Sequence, residues 1–147
     1  MLAGEKTVVI DAQTADVWAT IADVAAYPQW HPFFTAVEVT QRDASDCPMR
    51  ARCEHPTPVG VLRTEMGFTY DGTTSLRATR HAGDLKAMVG AFALEPADQG
   101  TAVTHRIEIE PGMRLGMLLR GPVEDRVRAS ILDGALDGLA AHLRIRS

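Results

Sequence analysis

The sequence predicts an α+β fold in which a curved antiparallel β-sheet of about seven strands wraps around a long C-terminal helix. Two patterns carry this prediction. Apolar residues recur at every fourth position near the end of the chain, as in an amphipathic helix. Before that helix, several segments alternate apolar and polar residues between glycine-containing turns, as half-buried antiparallel strands do. Because 147 residues is about the size of one domain, we expect residues 1–147 to form a single domain.

The composition argues against several classes of protein. Hydrophobic residues make up 46% of the chain, charged residues 23%, and the net charge is -4, all ordinary values for a soluble globular protein. Lys and Arg do not cluster, so we expect no nucleic-acid partner. The N-terminus lacks a signal-peptide pattern, and no run approaches the roughly 20 apolar residues of a membrane span. We therefore expect cytoplasmic residence and no stable membrane insertion.

The first quarter of the chain predicts a strand, a short helix and an aromatic turn. Residues 5–10 read as the strand, and the cap-type residues at 11–14 precede a helix over residues 15–25. Residues 27–32 contain two prolines, which disfavour helix and predict an ordered turn. We expect Trp30 to anchor this turn against the sheet rather than to contact a ligand.

The middle of the chain predicts the remaining strands. Alternation marks segments 35–41, 49–54, 61–70, 86–95 and 101–110, and turn signals at 71–72 and 83–84 enclose a further strand. Residues 55–60 carry two prolines and predict a loop. Gly90 interrupts one alternation and predicts a bulge or bend.

Two cysteines, Cys47 and Cys53, fall in one predicted strand. Residues six apart along a strand are about 20 Å from each other, so these thiols cannot pair within it. We expect both to be buried and unreactive.

The C-terminal segment has the strongest periodicity in the sequence. Its apolar residues with four-residue spacing are Leu115, Leu119, Val123, Val127, Ile131, Ala135, Leu139 and Leu143, flanked by Leu118, Leu132 and Leu136. Gly121-Pro122 predicts a division between a short leading turn and the main helix, because proline is tolerated at a first helical position.

This order of elements resembles the START-like or SRPBCC superfamily, and more closely its bacterial polyketide cyclase/dehydrase and lipid-transport-like members. Residues 16–30, residues 100–105 and the terminal helix carry the resemblance. It implies a helix-grip fold with an elongated cavity between sheet and helix, which holds a hydrophobic or amphipathic small molecule. Plant hormone receptors of similar fold keep a mobile gate where residues 55–60 lie, although the two prolines fit a stiff turn equally well.

A cavity of this kind needs apolar walls and a few polar groups that orient the ligand. Val127, Ile131 and Ala135 of the helix are predicted to face the sheet and to cover the cavity. The same positions also fit a solid core, because periodicity cannot reveal empty space. The candidate ligand-binding residues are Phe68, Tyr70, Leu76, Met88, Phe92, His105, Ile107, Val127, Ile131 and Ala135.

His105 and Tyr70 are the candidate catalytic residues. His105 shares the parity of Val103 and Ile107, so its imidazole is predicted to face the apolar interior, where it can bind a ligand or transfer a proton. A core histidine satisfied by protein groups is the alternative. Tyr70 ends a strand, where its hydroxyl either bonds a ligand carbonyl or points into water.

No cofactor or metal is expected. His31, His55 and His81 fall in predicted turns or at strand ends without metal-ligand spacing. Serine-hydrolase, phosphate-binding and dinucleotide-binding motifs are all missing from the sequence.

Three functions stay open at this point. The first is a non-catalytic binder or carrier of a lipid, isoprenoid or polyketide-like molecule. The second is a polyketide cyclase or dehydratase that uses the same cavity, with His105 or Tyr70 transferring protons. The third is a protein-interaction or stress-response module. A homodimer is compatible with the sequence.

Overall fold

Residues 2–146, the part of the chain that the computed structural model describes, form seven strands, three α-helices and one 3₁₀ helix. The elements follow one another in the order β1 (Leu2–Ile10), α1 (Thr14–Ala22), the 3₁₀ helix (Val24–Gln29), β2 (Ala36–Arg42), β3 (Pro48–Thr57), β4 (Gly60–Asp71), β5 (Ser75–Gly83), β6 (Ala87–Ala97), β7 (Gly100–Glu110), α2 (Met113–Leu118) and α3 (Pro122–Arg146).

The seven strands form one antiparallel sheet in the order β1-β7-β6-β5-β4-β3-β2. Consecutive strands from β2 to β7 are neighbours, and β1 pairs with β7 from Leu2↔Ile109 to Ile10↔Thr101. Alternate residues of β6 and β7 are buried on one face, which α1 and α3 cover. The predicted α+β fold, with its curved seven-stranded sheet and long C-terminal helix, is confirmed.

Helix α3 covers the sheet with the predicted apolar stripe. Its residues Val127, Ile131, Ala135, Leu139 and Leu143 are all buried. Each fully buried Ile or Leu contributes roughly 1.5–3 kcal/mol relative to an exposed one, so this stripe contributes much of the stability of the helix. The predicted break at Gly121-Pro122 separates α2 from α3.

Glycines let α3 approach its neighbours closely. A Cβ at Gly4 of β1 would lie 2.7 Å from Leu132 Cδ1, so the helix rests directly on this strand. On the other side of α3, a Cβ at Gly138 would collide with the carbonyl oxygen of Trp30. The segment after the 3₁₀ helix therefore lies against α3, held there by a position that only glycine fills.

The first helix is shorter than predicted. It ends at Ala22, where Asp23 leaves helical geometry with ψ 73°, and the chain continues as the 3₁₀ helix. Pro28 lies inside that 3₁₀ helix and lacks the amide that an α-helix needs. The Tyr27 hydroxyl donates to the carbonyl oxygen of Ile21 at 2.6 Å and fixes this turn of the chain.

One expectation about the strands is wrong, and another is wrong in part. Residues 55–60 are not a loop, because β3 continues to Thr57 and pairs with Gly60 at the start of β4. The turn is this tight because Gly60 adopts φ 122°, which glycine tolerates without strain. Gly90 is not a bulge, since it pairs in regular register with Ala78 and Ile107.

The two cysteines differ in their environment. Cys53 lies within β3 and is buried, and burial raises the pKa of its thiol to about 12. Cys47 precedes β3 and is only half-buried, contrary to the expectation that both would be buried. Both thiols are free.

Candidate ligand-binding site

A groove of about 700 Å³ lies between one end of the sheet, helix α2 and the start of α3. This volume is within the range of small-molecule binding sites. Most of its wall is apolar, with Lys86, Arg120, Glu110 and Glu124 among the polar residues of its lining. The apolar side chains include Leu2, Leu62, Leu85, Ile109, Met113, Met117, Leu119 and Val127.

Divergence of two strands opens the sheet beside this groove. β5 and β6 pair only from Ser75↔Ala93 to Thr79↔Val89, so the end of β5 and the start of β6 lack a ladder between them. Leu85 lies in the turn that joins these two strands and has φ 70°, a left-handed conformation that costs a bulky residue roughly 1–2 kcal/mol. Its side chain is buried in the groove wall. The chain thus adopts a strained conformation at the site where Leu85 forms the wall.

A second, much smaller space lies further along the same face of the sheet. We call it the inner pocket; at about 20 Å³ it has room for one water molecule. Gly90 lies in its wall, and a Cβ added there would meet nothing within 4 Å. Phe33 lines both the groove and the inner pocket. The inner pocket is lined by Tyr27, His31, Phe33, Phe34, Leu76, Ala78, Met88, Gly90, Phe92, His105, Ile107 and Ile131.

His105 faces the interior, as its parity predicts, and is 2% exposed. Its ring stacks on Phe92 with centroids 4.1 Å apart, and Nδ1 lies 2.9 Å from the carbonyl oxygen of Ala91. Because a carbonyl only accepts, Nδ1 carries the proton and Nε2 has a lone pair. Among the described residues, no group hydrogen-bonds to Nε2. Burial lowers the pKa of His105 to about 4, so the ring is neutral at pH 7.

His31 is the neighbour of His105 in the inner pocket. The two ring centroids are 5.7 Å apart and the rings are perpendicular. The Phe33 backbone N–H donates to His31 Nδ1 at 3.3 Å, so in the neutral ring the proton is on Nε2. Burial, followed by the nearby His105 and His55, lowers the pKa of His31 well below its usual value.

His55 is a structural residue in the core. It is fully buried in β3, where Nδ1 donates to the Phe33 carbonyl oxygen at 2.9 Å and Nε2 accepts from the Thr64 hydroxyl at 2.7 Å. Burial lowers its pKa to about 4. His31 lies in the turn after the 3₁₀ helix and His55 near the end of β3, as predicted, and both are buried. Within residues 2–146, no three His, Cys, Asp or Glu side chains converge as metal ligands.

Sequence reasoning missed these two histidines because their burial comes from long-range packing. His31 lies between two prolines, and His55 directly precedes one, so local signals indicate turns. Alternation with Ala51 and Cys53 was the signal that could have placed His55 on the inward face of β3.

The structure brings only part of the predicted site together. The residues that surround the inner pocket are Leu76, Met88, Phe92, His105, Ile107 and Ile131, and Val127 lines the groove. Phe68 and Ala135 are buried but line neither space. Tyr70 is also in neither, because its hydroxyl donates to the Pro48 carbonyl oxygen at 2.6 Å and its ring meets the edge of Trp18. Tyr70 and His105 therefore do not face one volume.

Trp30 lies against the sheet, as predicted. Its ring meets Phe92 edge-on with centroids 6.0 Å apart. Its indole Nε1 is buried and, among the described residues, has no hydrogen-bond acceptor.

Helix α2 presents apolar side chains to solvent at the groove. Met113 is 87% exposed, Met117 65% and Leu118 56%, although the sequence pattern placed Leu118 beside the buried stripe. None of the residues of this helix is buried. Within the described residues, no helix is both long and apolar enough to cross a membrane.

A comparison with known protein families gives one match over most of the chain. The family model described as "Polyketide cyclase / dehydrase and lipid transport" matches residues 10–135. No curated protein sequence matches significantly.

Solved structures show the same fold at low sequence identity. A START superfamily protein from Mycobacterium smegmatis is 16% identical and superposes with a TM-score of 0.85, with 99% of each chain covered. A protein from Thermus thermophilus is 20% identical with a TM-score of 0.84, again over 99% of each chain. The Zhui aromatase/cyclase from Streptomyces sp. R1128 is 16% identical with a TM-score of 0.62, over 97% of this chain and 88% of that one.

Proposed function

The chain belongs to the polyketide cyclase / dehydrase and lipid transport family, and from that premise we propose that it binds a hydrophobic or amphipathic small molecule in the groove beneath α2. The observation that carries the proposal is the groove itself, which combines about 700 Å³ of space with a mostly apolar wall. A lipid, isoprenoid or polyketide-like molecule fits this chemistry, because apolar surface leaving water drives the association.

The two candidate catalytic residues fit a binder or carrier better than an enzyme. A general base works best when its pKa lies near the operating pH, whereas the pKa of His105 is lowered to about 4. Burial raises the pKa of Tyr70 to about 12, and its hydroxyl is already bonded to Pro48. Neither candidate has both the proton affinity and the position for efficient proton transfer.

A cyclase or dehydratase activity is the second candidate, favoured by the lone pair of His105 Nε2 in an apolar pocket. If this activity exists, turnover of a polyketide-like chain should fall in His105→Ala and stay unchanged in Tyr70→Phe. Loss of turnover in Tyr70→Phe would contradict the position that we give to this residue.

The proposed function is tested by filling the groove. Gly116 lines it from α2, and a Cβ there would meet only Pro111 Cγ, at 3.7 Å. We expect Gly116→Trp to weaken binding of the neutral fluorescent probe N-phenyl-1-naphthylamine by about tenfold, equivalent to roughly 1.4 kcal/mol. The probe titration measures this directly by its increase in fluorescence.

Val9→Trp is the matched control, because Val9 is an exposed apolar residue of β1 outside the groove. It should bind the probe as the wild type does. Equal binding by the wild type and both variants would refute the groove as the site. An absence of any probe binding would favour the third function, a protein-interaction or stress-response module. Cytoplasmic residence, a homodimer and the lack of a nucleic-acid partner stay predictions of the sequence.

A further inference from the structure

Two histidine rings line the inner pocket: His105, whose buried Nε2 is an unpaired acceptor, and His31, whose Nε2 carries a proton. His105 Nε2 has a lone pair, is buried, and has no partner among the described residues. His31 has its proton on Nε2, since the hydrogen bond of its ring, from the Phe33 N–H, goes to Nδ1. Both rings line the same space. Leaving such a buried acceptor unpaired costs about 1–3 kcal/mol, so a ligand group that pairs with it gains that free energy.

Backbone atoms fix these two roles. The Ala91 carbonyl oxygen can only accept, which holds the proton of His105 on Nδ1. The Phe33 amide can only donate, which holds the proton of His31 on Nε2. The lowered pKa of both rings keeps them neutral at pH 7, so one of the two rings that line the pocket has a lone pair on Nε2 and the other has an N–H there.

The chemistry of this pair excludes most polar groups of a ligand. A carboxylate or phosphate would meet the lone pair of His105, and no Lys or Arg lines the inner pocket to balance its charge. A ketone or ester carbonyl can accept from His31 but leaves His105 unpaired. An ammonium group only donates and would be buried without a counter-charge. A hydroxyl group both donates and accepts, so of these groups it is the one that satisfies both rings.

The two rings are neighbours in the wall of the inner pocket, with centroids 5.7 Å apart and planes nearly perpendicular. A single ligand group that lies between them therefore contacts both rings.

We propose that the inner pocket binds the hydroxyl group of an otherwise apolar ligand, an alcohol, phenol or enol, which donates to His105 Nε2 and accepts from His31 Nε2–H. This inference rests on the proposed function, because the apolar body of the ligand occupies the groove. Phe33 lines both spaces, so a ligand whose body lies in the groove reaches the inner pocket beside this ring. The site thus selects for a hydroxyl at the inner end of the ligand.

The test compares two ligands, 2-naphthol and its methyl ether, 2-methoxynaphthalene, in which a methyl group replaces the hydroxyl hydrogen. Isothermal titration calorimetry at pH 7 should show that the wild type binds 2-naphthol about tenfold or more tightly than the ether, since the ether cannot donate to His105. In His105→Phe, which keeps an aromatic ring on Phe92, this preference should fall to about twofold or less.

His81→Phe is the matched control, because it makes the same substitution at an exposed histidine of β5 outside the inner pocket. It should keep the wild-type preference. If His105→Phe does not fold, His105→Gln replaces it, and the amide oxygen of Gln should retain part of the preference for the naphthol.

The outcomes separate the two proposals. If both ligands bind the wild type equally, the hydroxyl site is refuted while the groove stands. If neither binds, and N-phenyl-1-naphthylamine does not bind either, the proposed function fails together with this inference. Nitrogen-15 NMR of the wild type gives a direct check, because His105 should be protonated on Nδ1 and His31 on Nε2. The opposite tautomer of either ring would overturn the inference.

Discussion

The buried histidines make the stability of the protein sensitive to acid. Burial lowers the pKa of His55 and of His105 from 6.5 to about 4, so the unfolded chain binds more protons between these values than the folded one. Stability is therefore full above about pH 6.5 and falls as the pH drops towards 4, by about 3 kcal/mol for each residue. Urea unfolding at a series of pH values measures this loss.

His105→Phe provides the comparison for this prediction. Without one of the three buried imidazoles, the free energy of unfolding should decrease less steeply between about pH 6.5 and 4. Identical slopes for the wild type and the variant would show that His105 is not protected from protonation in the folded state.

The hydrogen bonds of His55 should matter more than its volume. His55→Phe leaves the Phe33 carbonyl oxygen and the Thr64 hydroxyl without their partner, and we expect a loss of about 3 kcal/mol at pH 7. Thr64→Val removes only the second bond and should cost about 1 kcal/mol. Urea unfolding compares the two variants, and a smaller loss in His55→Phe than in Thr64→Val would contradict the role of the Phe33 bond.

For single residues, the sequence predicts well which way a side chain faces and poorly which hydrogen-bond partner it has. Alternation within β7 was enough to predict that His105 faces inward, because successive side chains of a strand face opposite sides of the sheet. It could not show that Ala91 fixes the tautomer, since β6 provides that carbonyl through the pairing of two strands. It also could not show that the Tyr70 hydroxyl bonds to Pro48, 22 residues away.

Among the secondary-structure elements, α3 depends on a glycine that helix propensity disfavours. A Cβ at Gly138 would collide with the Trp30 carbonyl oxygen, so Gly138→Ala should lower the free energy of unfolding by about 3 kcal/mol. In α2, Gly116 has only an ordinary contact with Pro111 at 3.7 Å. There the same substitution should be neutral or stabilise by up to about 1 kcal/mol, because alanine favours helix.

Thermal or urea unfolding of both alanine variants measures the difference. A Gly138→Ala protein as stable as Gly116→Ala would mean that α3 and the Trp30 segment can separate without cost. That result would also mean that α3 does not hold this segment in place beside the inner pocket.

The boundaries of the elements show where local signals fail. Two prolines in residues 55–60 predicted a loop, yet Pro56 lies within β3 and pairs with Val61, and the turn contracts to two residues. Pro28 predicted a turn after the first helix, and the chain instead continues as a 3₁₀ helix. Both prolines do disfavour an α-helix, as the sequence indicates. At Pro56 the chain forms a strand instead, and at Pro28 it forms a 3₁₀ helix.

In the molecule as a whole, α2 should be the least protected of the helices and strands. None of its residues is buried, so its amides should exchange with deuterium faster than those in the centre of β7. Binding of N-phenyl-1-naphthylamine should slow exchange in α2, since this helix forms one wall of the groove. Hydrogen-exchange mass spectrometry follows both effects, and an α2 as protected as β7 would contradict them.

The order of strands and helices was predictable from the sequence, but the position of the groove was not. Periodicity and turn signals together identified every strand and the C-terminal helix, because burial of one face imposes the pattern on the sequence. The groove depends on the separation of β5 from β6 and on where α2 lies, and both are set by packing between distant residues. The predicted walls therefore cluster around the small inner pocket, while most of the residues of the larger groove were missed.

The pairing of β1 with β7 affects the order in which the sheet can form during synthesis. These strands lie at opposite ends of the sheet-forming sequence, and in the described sheet β1 pairs with β7 alone. During synthesis β1 therefore leaves the ribosome long before its partner exists, with its backbone donors and acceptors unpaired. Pairings between distant segments slow folding and prolong the exposure of strand edges to incorrect partners. The sheet can be completed only after β7 emerges, so the synthesis of β7 decides when β1 gains its partner.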